Sequence, residues 1–162
     1  MIDKLIIGRV QEQEMLAEME ATPATDMLAI TGRRRVGKTW LIKTFFESRM
    51  HFEFSGVLNA STSSQLQSFA KALEKHSKKK QAIPTNWLDA FEQLGRYLER
   101  IKKTKKLIVF IDELPWLDSH KSGFLNGLEW FWNTWAYGKN ILVIICGSAA
   151  SWMNSKIINN RG

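Results

Sequence analysis

Residues Gly32-Arg33-Arg34-Arg35-Val36-Gly37-Lys38-Thr39 constrain this chain more than any other stretch. They fit the pattern G-x-x-x-x-G-K-[ST] without a mismatch. The apolar run Met27-Leu28-Ala29-Ile30 lies just before them and reads as a buried strand feeding a glycine turn. After them, from Thr39 to about Ser48, Leu41, Ile42, Phe45 and Phe46 recur at helical spacing. A loop between such a strand and such a helix is suited to a polyphosphate. Gly32 and Gly37 allow the backbone angles and the close approach that inward-pointing N–H groups require. The helix starting near Lys38 directs its positive dipole end at the anion. Lys38 can reach phosphate oxygens as a mobile point charge, and the Thr39 hydroxyl suits a position on Mg²⁺. The expected ligand is ATP with Mg²⁺. Arg35, Val36 and Trp40 join Gly32, Gly37, Lys38 and Thr39 as expected nucleotide contacts. Beyond that, Arg33, Arg34 and Arg35 occupy variable positions, where facing solvent or pairing with a neighbour is the default.

The rest of the chain alternates strand and helix patterns. Gln11 to Glu20 reads as a short acidic helix, and His51 to Leu58 as a second strand. Ser64 to His76 places Leu66, Phe69, Ala70 and Leu73 on one helical face. Pro84 and Thr85-Asn86 signal a helix start, followed by the stripe Trp87, Leu88, Phe91, Leu94, Leu98 and Ile101. Leu107 to Ile111 and Ile141 to Cys146 are continuous apolar runs, as expected of strands covered on both faces. Between them, Ser122 to Tyr137 reads as an aromatic-rich helix, and a short helix is expected over Ala149 to Ile158. This order argues for an α/β fold: a mainly parallel sheet flanked by helices in three αβα layers.

Two further strand ends carry chemistry. Leu107 to Ile111 runs into Asp112-Glu113. A carboxylate at the C-terminal end of a strand lies where open α/β sheets bind ligands, so Asp112 is the expected partner of Thr39 in holding Mg²⁺. Glu113 is the candidate to orient and deprotonate an attacking water, against the plainer reading of a surface or helix-start carboxylate. Ile141 to Cys146 ends at Gly147-Ser148. The Ser148 hydroxyl is expected to contact the γ-phosphate or the water, or else to cap the helix that follows.

Together these motifs resemble the AAA-type P-loop ATPase domain of the prokaryotic, archaeal-type ATPases, relatives of the STAND ATPases. Ile7-Gly8-Arg9-Val10-Gln11-Glu12 looks like their GRxxE motif, and Gly32 to Thr39 like their Walker A loop. Ile111 to Leu117 looks like their Walker B region, and Gly147 to Met153 like the segment carrying sensor 1. The resemblance implies that Ile7, Gly8 and Arg9 lie beside the adenine. It implies Asp112 as the Walker B metal residue, Glu113 as the catalytic base and Ser148 as sensor 1, with Lys38 assisting catalysis. It implies a sheet in which the Ile141 strand separates the Met27 and Leu107 strands. Family members usually continue with a fifth strand, a helical lid and often a C-terminal domain. Residues 1–162 therefore resemble an ATPase core without them. This leaves the Met27 strand as an expected open edge, favouring self-association or ordering of Ile157 and Ile158 across it. Arg161 is a candidate arginine finger. Any DNA contact is expected through domains beyond this segment.

Composition narrows the alternatives. The net charge of +7 favours polyanionic partners in general. The runs Lys78 to Lys80 and Lys102 to Lys106 read as solvated surface, the second complementing a helix C-terminus. Cys146 is the sole cysteine, which rules out an internal disulfide and suits a buried thiol in a reducing cytoplasm. No apolar run reaches the roughly 18 residues of a membrane helix, and the opening MIDKLIIGRVQEQE turns acidic too early for a secretory signal. No N-K-x-D motif points to guanine, and no arginine-rich lid points to a small-molecule kinase. Two readings remain: an ATPase that couples hydrolysis to a conformational switch, and a nucleotide-gated binding module with little hydrolysis.

Overall fold

A computed structural model describes residues 6–102 and 105–159. Four parallel strands form the sheet: β1 (Thr25–Thr31), β2 (Phe52–Ser55), β3 (Leu107–Asp112) and β4 (Ile141–Gly147), in the order β1-β4-β3-β2. The register runs Met27 to Val143 and Val143 to Val109, so the Met27 and Leu107 strands are separated as expected. β3 and β4 are buried at every position, which explains their unbroken apolar runs.

Side-chain parity splits those runs between two helical layers. On one face, Val109, Ile111, Val143 and Ile145 pack against α3 (Thr62–Ser77), α4 (Trp87–Glu99) and α5 (Phe124–Trp130) through Phe69, Trp87, Phe91 and Phe124. On the other, Ile108, Phe110, Leu142 and Ile144 meet Leu16 of α1 (Val10–Ala21) and Leu41, Ile42 and Phe46 of α2 (Lys38–Phe46). The result is the three-layer αβα arrangement.

Local chemistry sets the helix starts. The Ser61 side chain caps α3 by accepting from Ser64 N, and Asn86 caps α4 by accepting from Asp89 N at 2.8 Å. Asp89 returns the favour through Thr85 N at 2.9 Å, a reciprocal cap that follows Pro84.

Three expectations change in detail. The aromatic helix begins at Phe124 and widens into a π-helical turn over Phe131–Ala136. Phe131 and Trp135 both turn inward there, their rings stacked at 5.0 Å, while Tyr137 is exposed. Gly95 of α4 makes room, since a Cβ would lie 2.7 Å from Trp135 Nε1. The last helix, α6 (Ala150–Met153), likewise widens over Asn154–Ile158. Lys106 is not solvated: it is buried and donates to Met19 O at 2.8 Å and Thr22 O at 2.9 Å, and pairs with Asp26. It serves the C-terminal carbonyls of α1 rather than those of the helix before it. Lys78, Lys79 and Lys80 are exposed as expected.

The two sheet edges differ. β2 presents outward donors, and α3 takes one of them and another just past the strand: Glu53 N donates to His76 Nε2 and Val57 N to Gln65 Oε1. β1 pairs only with β4 among the described residues and is half-buried along most of its length. Met27, Trp132, Lys156 and Ile157 line a small cleft of about 190 Å³ beside it, while Ile158 stays exposed. Arg161 lies outside the described residues. No described helix is long and apolar enough to cross a membrane.

Candidate functional site

The loop between β1 and α2 adopts backbone angles that few side chains tolerate. Gly32 has φ +146° and Gly37 φ +83°, and Arg35 takes the left-handed region at φ +63°. The loop opens onto a cleft of about 730 Å³ lined by Arg34, Arg35, Gly37, Lys38, Thr39, Trp40 and Glu113. Lys38 begins α2 and is buried, its Nζ donating to Gly32 O at 2.7 Å and Arg33 O at 2.6 Å. Those bonds curl the ammonium inside the loop, with three exposed arginines around it.

Asp112 ties this loop to the opposite strand end. Its Oδ2 accepts from Thr39 Oγ1 at 2.5 Å, and its Oδ1 accepts from Glu113 N at 2.9 Å. The carboxylate is buried and lies behind Cys146, whose thiol is pushed up by burial and by Asp112, so it stays protonated. A hydroxyl and a carboxylate held this close are hard oxygen donors of the kind Mg²⁺ takes one or two at a time, the rest coming from phosphate and water.

Glu113 sits in the left-handed region at φ +52°, an uncommon conformation for this residue type. It opens the short 3₁₀ turn Leu114–Trp116, and Trp116 N donates to its carbonyl at 3.0 Å. Glycines on the neighbouring strand ends make the turn possible. A Cβ on Gly56 would lie 2.7 Å from Glu113 O, and one on Gly147 would lie 2.8 Å from Pro115 Cδ. Buried Gln65 fastens the far side by donating to Trp116 O at 3.0 Å and Val57 O at 2.7 Å. The Glu113 carboxylate reaches Ser148, whose Oγ donates to Oε2 at 3.3 Å. Ser148 does not cap α6; Ala149 holds that position without a side-chain bond.

The N-terminal residues reach the site unevenly. Arg9, at the start of α1 with φ +52°, donates to Val36 O and lies 3.4 Å from where a Gly37 Cβ would be. Gly8 O accepts from Gln13 Nε2 at 2.7 Å, and Ile7 is 86% exposed. Trp40 is 50% exposed at the cleft wall. Sequence reasoning missed Gly56, Gln65 and the pairing of Arg34, whose guanidinium lies 4.9 Å from the Trp116 ring centroid. Only Gly56, in a Ser-Gly step after a strand pattern, left a readable signal.

Known proteins carry the same frame. A family model described as an ATPase domain predominantly from Archaea matches residues 7–161. The chain belongs to this ATPase family. Among solved structures, the Walker-type ATPase of Pyrococcus abyssi superposes with a TM-score of 0.66 at 17% identity, covering 96% of this chain and 49% of that one. The Drosophila ORC bound to DNA gives 0.63 at 16%, covering 92% and 40%. Caenorhabditis elegans PCH-2 gives 0.51 at 14%, again covering 92% and 40%. These likenesses show the P-loop ATPase fold, and this chain spans half or less of each matched chain. No curated protein matches the sequence.

Proposed function

We propose that the chain binds ATP with Mg²⁺ and hydrolyses the γ-phosphate by in-line attack of water, driving a conformational switch. The observation that carries this reading is the continuous set of contacts Thr39–Asp112–Glu113–Ser148 across one cleft. Asp112 joins the phosphate loop to the turn that aims the base, so both are placed by one buried carboxylate. In this reading the loop amides and Lys38 bind the β- and γ-phosphates, Lys38 exchanging its loop carbonyls for phosphate oxygens. Thr39 and Asp112 hold Mg²⁺, which neutralises charge building on the phosphates. Glu113 orients the water and takes its proton, and Ser148 fixes the Glu113 carboxylate or the γ-phosphate. Ile7, Gly8 and Arg9 border the adenine, with Arg9 anchored on the loop carbonyl of Val36. Arg35, Val36 and Trp40 complete the nucleotide's surroundings.

Residues 1–162 act in this reading as the ATPase core of a cytoplasmic protein. Self-association in this reading runs through the β1 edge of this segment, and DNA contact through domains beyond it. The test is Glu113→Gln, which keeps the side chain's shape and removes the base. ATP binding by calorimetry should persist, while the hydrolysis rate falls by roughly 10² or more. Hydrolysis at the wild-type rate would remove Glu113 from the mechanism.

A further inference from the structure

The phosphate loop carries three consecutive arginines, and one of them is singled out by its surroundings. Arg34 lines the same cleft as Lys38 and Glu113. Among the described residues it pairs with no carboxylate. Its guanidinium rests instead on the face of Trp116, at 4.9 Å from the ring centroid. Trp116 is no loose surface ring. Its backbone N–H donates to Glu113 O and its carbonyl accepts from buried Gln65, so the residue is part of the turn that carries Glu113.

We propose that Arg34 reads the third phosphate of the bound nucleotide, leaving Trp116 to form a forked contact with that group. This rests on the reading of the cleft as an ATP site. The exchange is favourable on general grounds. An exposed guanidinium–indole contact is weak, whereas a guanidinium fork on a phosphate forms two parallel charge-assisted hydrogen bonds. Among the described residues no carboxylate holds Arg34, and its side chain is exposed, so little opposes its movement. Lys38 grips the loop from inside and reaches the β-phosphate of either nucleotide, so a second cation on the cleft wall sharpens the distinction between three phosphates and two. Arg34 lines the cleft together with Lys38 and Glu113 and rests against the Glu113 turn, and in the proposed reading the third phosphate points to that turn. Its departure would also uncover Trp116 and free one contact on that turn, so the nucleotide's state would be felt where the base is held.

The test compares ADP with a non-hydrolysable ATP analogue, each with Mg²⁺, by calorimetry on the whole chain. Arg34→Ala should weaken the triphosphate by about 10- to 100-fold, the range for losing a hydrogen-bonded charge, and change ADP by less than about threefold. Arg34→Lys, which keeps the charge but not the fork, should fall between, and it decides the matter if the alanine variant folds poorly. Trp116→Leu should keep the preference for the triphosphate. Equal losses for both nucleotides in the Arg34 variants, or the same selective loss in Trp116→Leu, would mean that Arg34 only clamps the loop. If Lys38→Ala abolishes binding of both nucleotides while Arg34→Ala leaves their ratio unchanged, the ATP site stands and the role of Arg34 falls. If the wild-type chain binds neither nucleotide, both readings fall together.

Discussion

Among the described residues two lysines are buried, one at each end of the sheet, and the molecule treats them differently. Lys106 lies at the N-terminal end of β3 and Lys38 at the C-terminal side, in the phosphate loop. Each donates to two backbone carbonyls: Met19 and Thr22 for Lys106, Gly32 and Arg33 for Lys38. Only Lys106 has a carboxylate partner, Asp26. Among the described residues no carboxylate forms an ion pair with Lys38, so carbonyls alone serve its buried ammonium. The paired lysine is a fastener, holding the end of α1 against β1. In the proposed reading the unpaired one is a receptor for an anion, and its carbonyl bonds keep it oriented until one arrives.

That contrast is open to test. Replacing Lys106 with methionine should cost about 3 kcal/mol of stability, because two buried carbonyls and the Asp26 charge lose their partner. Chemical denaturation measures it, and a loss below about 0.5 kcal/mol would erase the distinction between fastener and receptor. Lys38→Met should behave in the opposite sense. Its stability without nucleotide should change little, but the gain of about 2.7 kcal/mol that ATP at a hundredfold excess over Kd gives the wild type should vanish. Thermal melts with and without Mg-ATP separate the two variants, and a nucleotide-dependent shift surviving in Lys38→Met would break the comparison.

A subtler change sharpens it. Asp26→Asn keeps an oxygen acceptor for Lys106 but removes the neutralising charge, leaving Lys106 in the situation of Lys38. The expected loss is about 1–2 kcal/mol, smaller than for Lys106→Met because the carbonyls remain served. No loss would mean that the carbonyls alone suffice and that the carboxylate has no bearing on the role. The smallest effect concerns the histidines beside β2, which are held neutral by backbone donors rather than charged by acceptors. His51 Nδ1 accepts from Ile108 N and His76 Nε2 from Glu53 N, and burial lowers both below the ordinary histidine value. The unfolded chain therefore binds protons first, so stability present above about pH 6.5 should decline as the pH falls through it and below. Denaturation midpoints across that range check the sign; a midpoint rising toward acid would contradict it.

Much of the fold could be read from the chain because apolar parity and loop chemistry are local. The runs at Leu107 and Ile141 could belong only to strands covered on both faces, and Pro84 to Asn86 marked the start of α4. The phosphate loop and the Asp112-Glu113 step were legible for the same reason: each is a contiguous pattern at a strand end. What escaped was set by contacts between distant segments. Lys106 looked like one of five residues in a solvated basic run, since nothing nearby in sequence announces Met19, Thr22 and Asp26 as partners. Gln65 reads as an ordinary helix residue until Trp116 comes beside it. Arg34 looked like a loop arginine until folding set it on an indole. The wide turn at Phe131–Ala136 escaped too, because its inward rings depend on the space that Gly95 leaves on another helix.

The unequal sheet edges bear on how copies of this chain can assemble. Continuous fibre growth through backbone pairing needs a vacant rim at both ends of every unit, so that each newcomer offers a fresh template. Here His76 occupies a donor of β2 and Gln65 a donor just past its end, whereas among the described residues no side chain accepts from the backbone of β1. A strand added at β1 uses up that vacancy and supplies no second one. If copies associate as proposed, pairing through β1 favours a single added strand or a closed pair, because the side chains of α3 hinder propagation at β2.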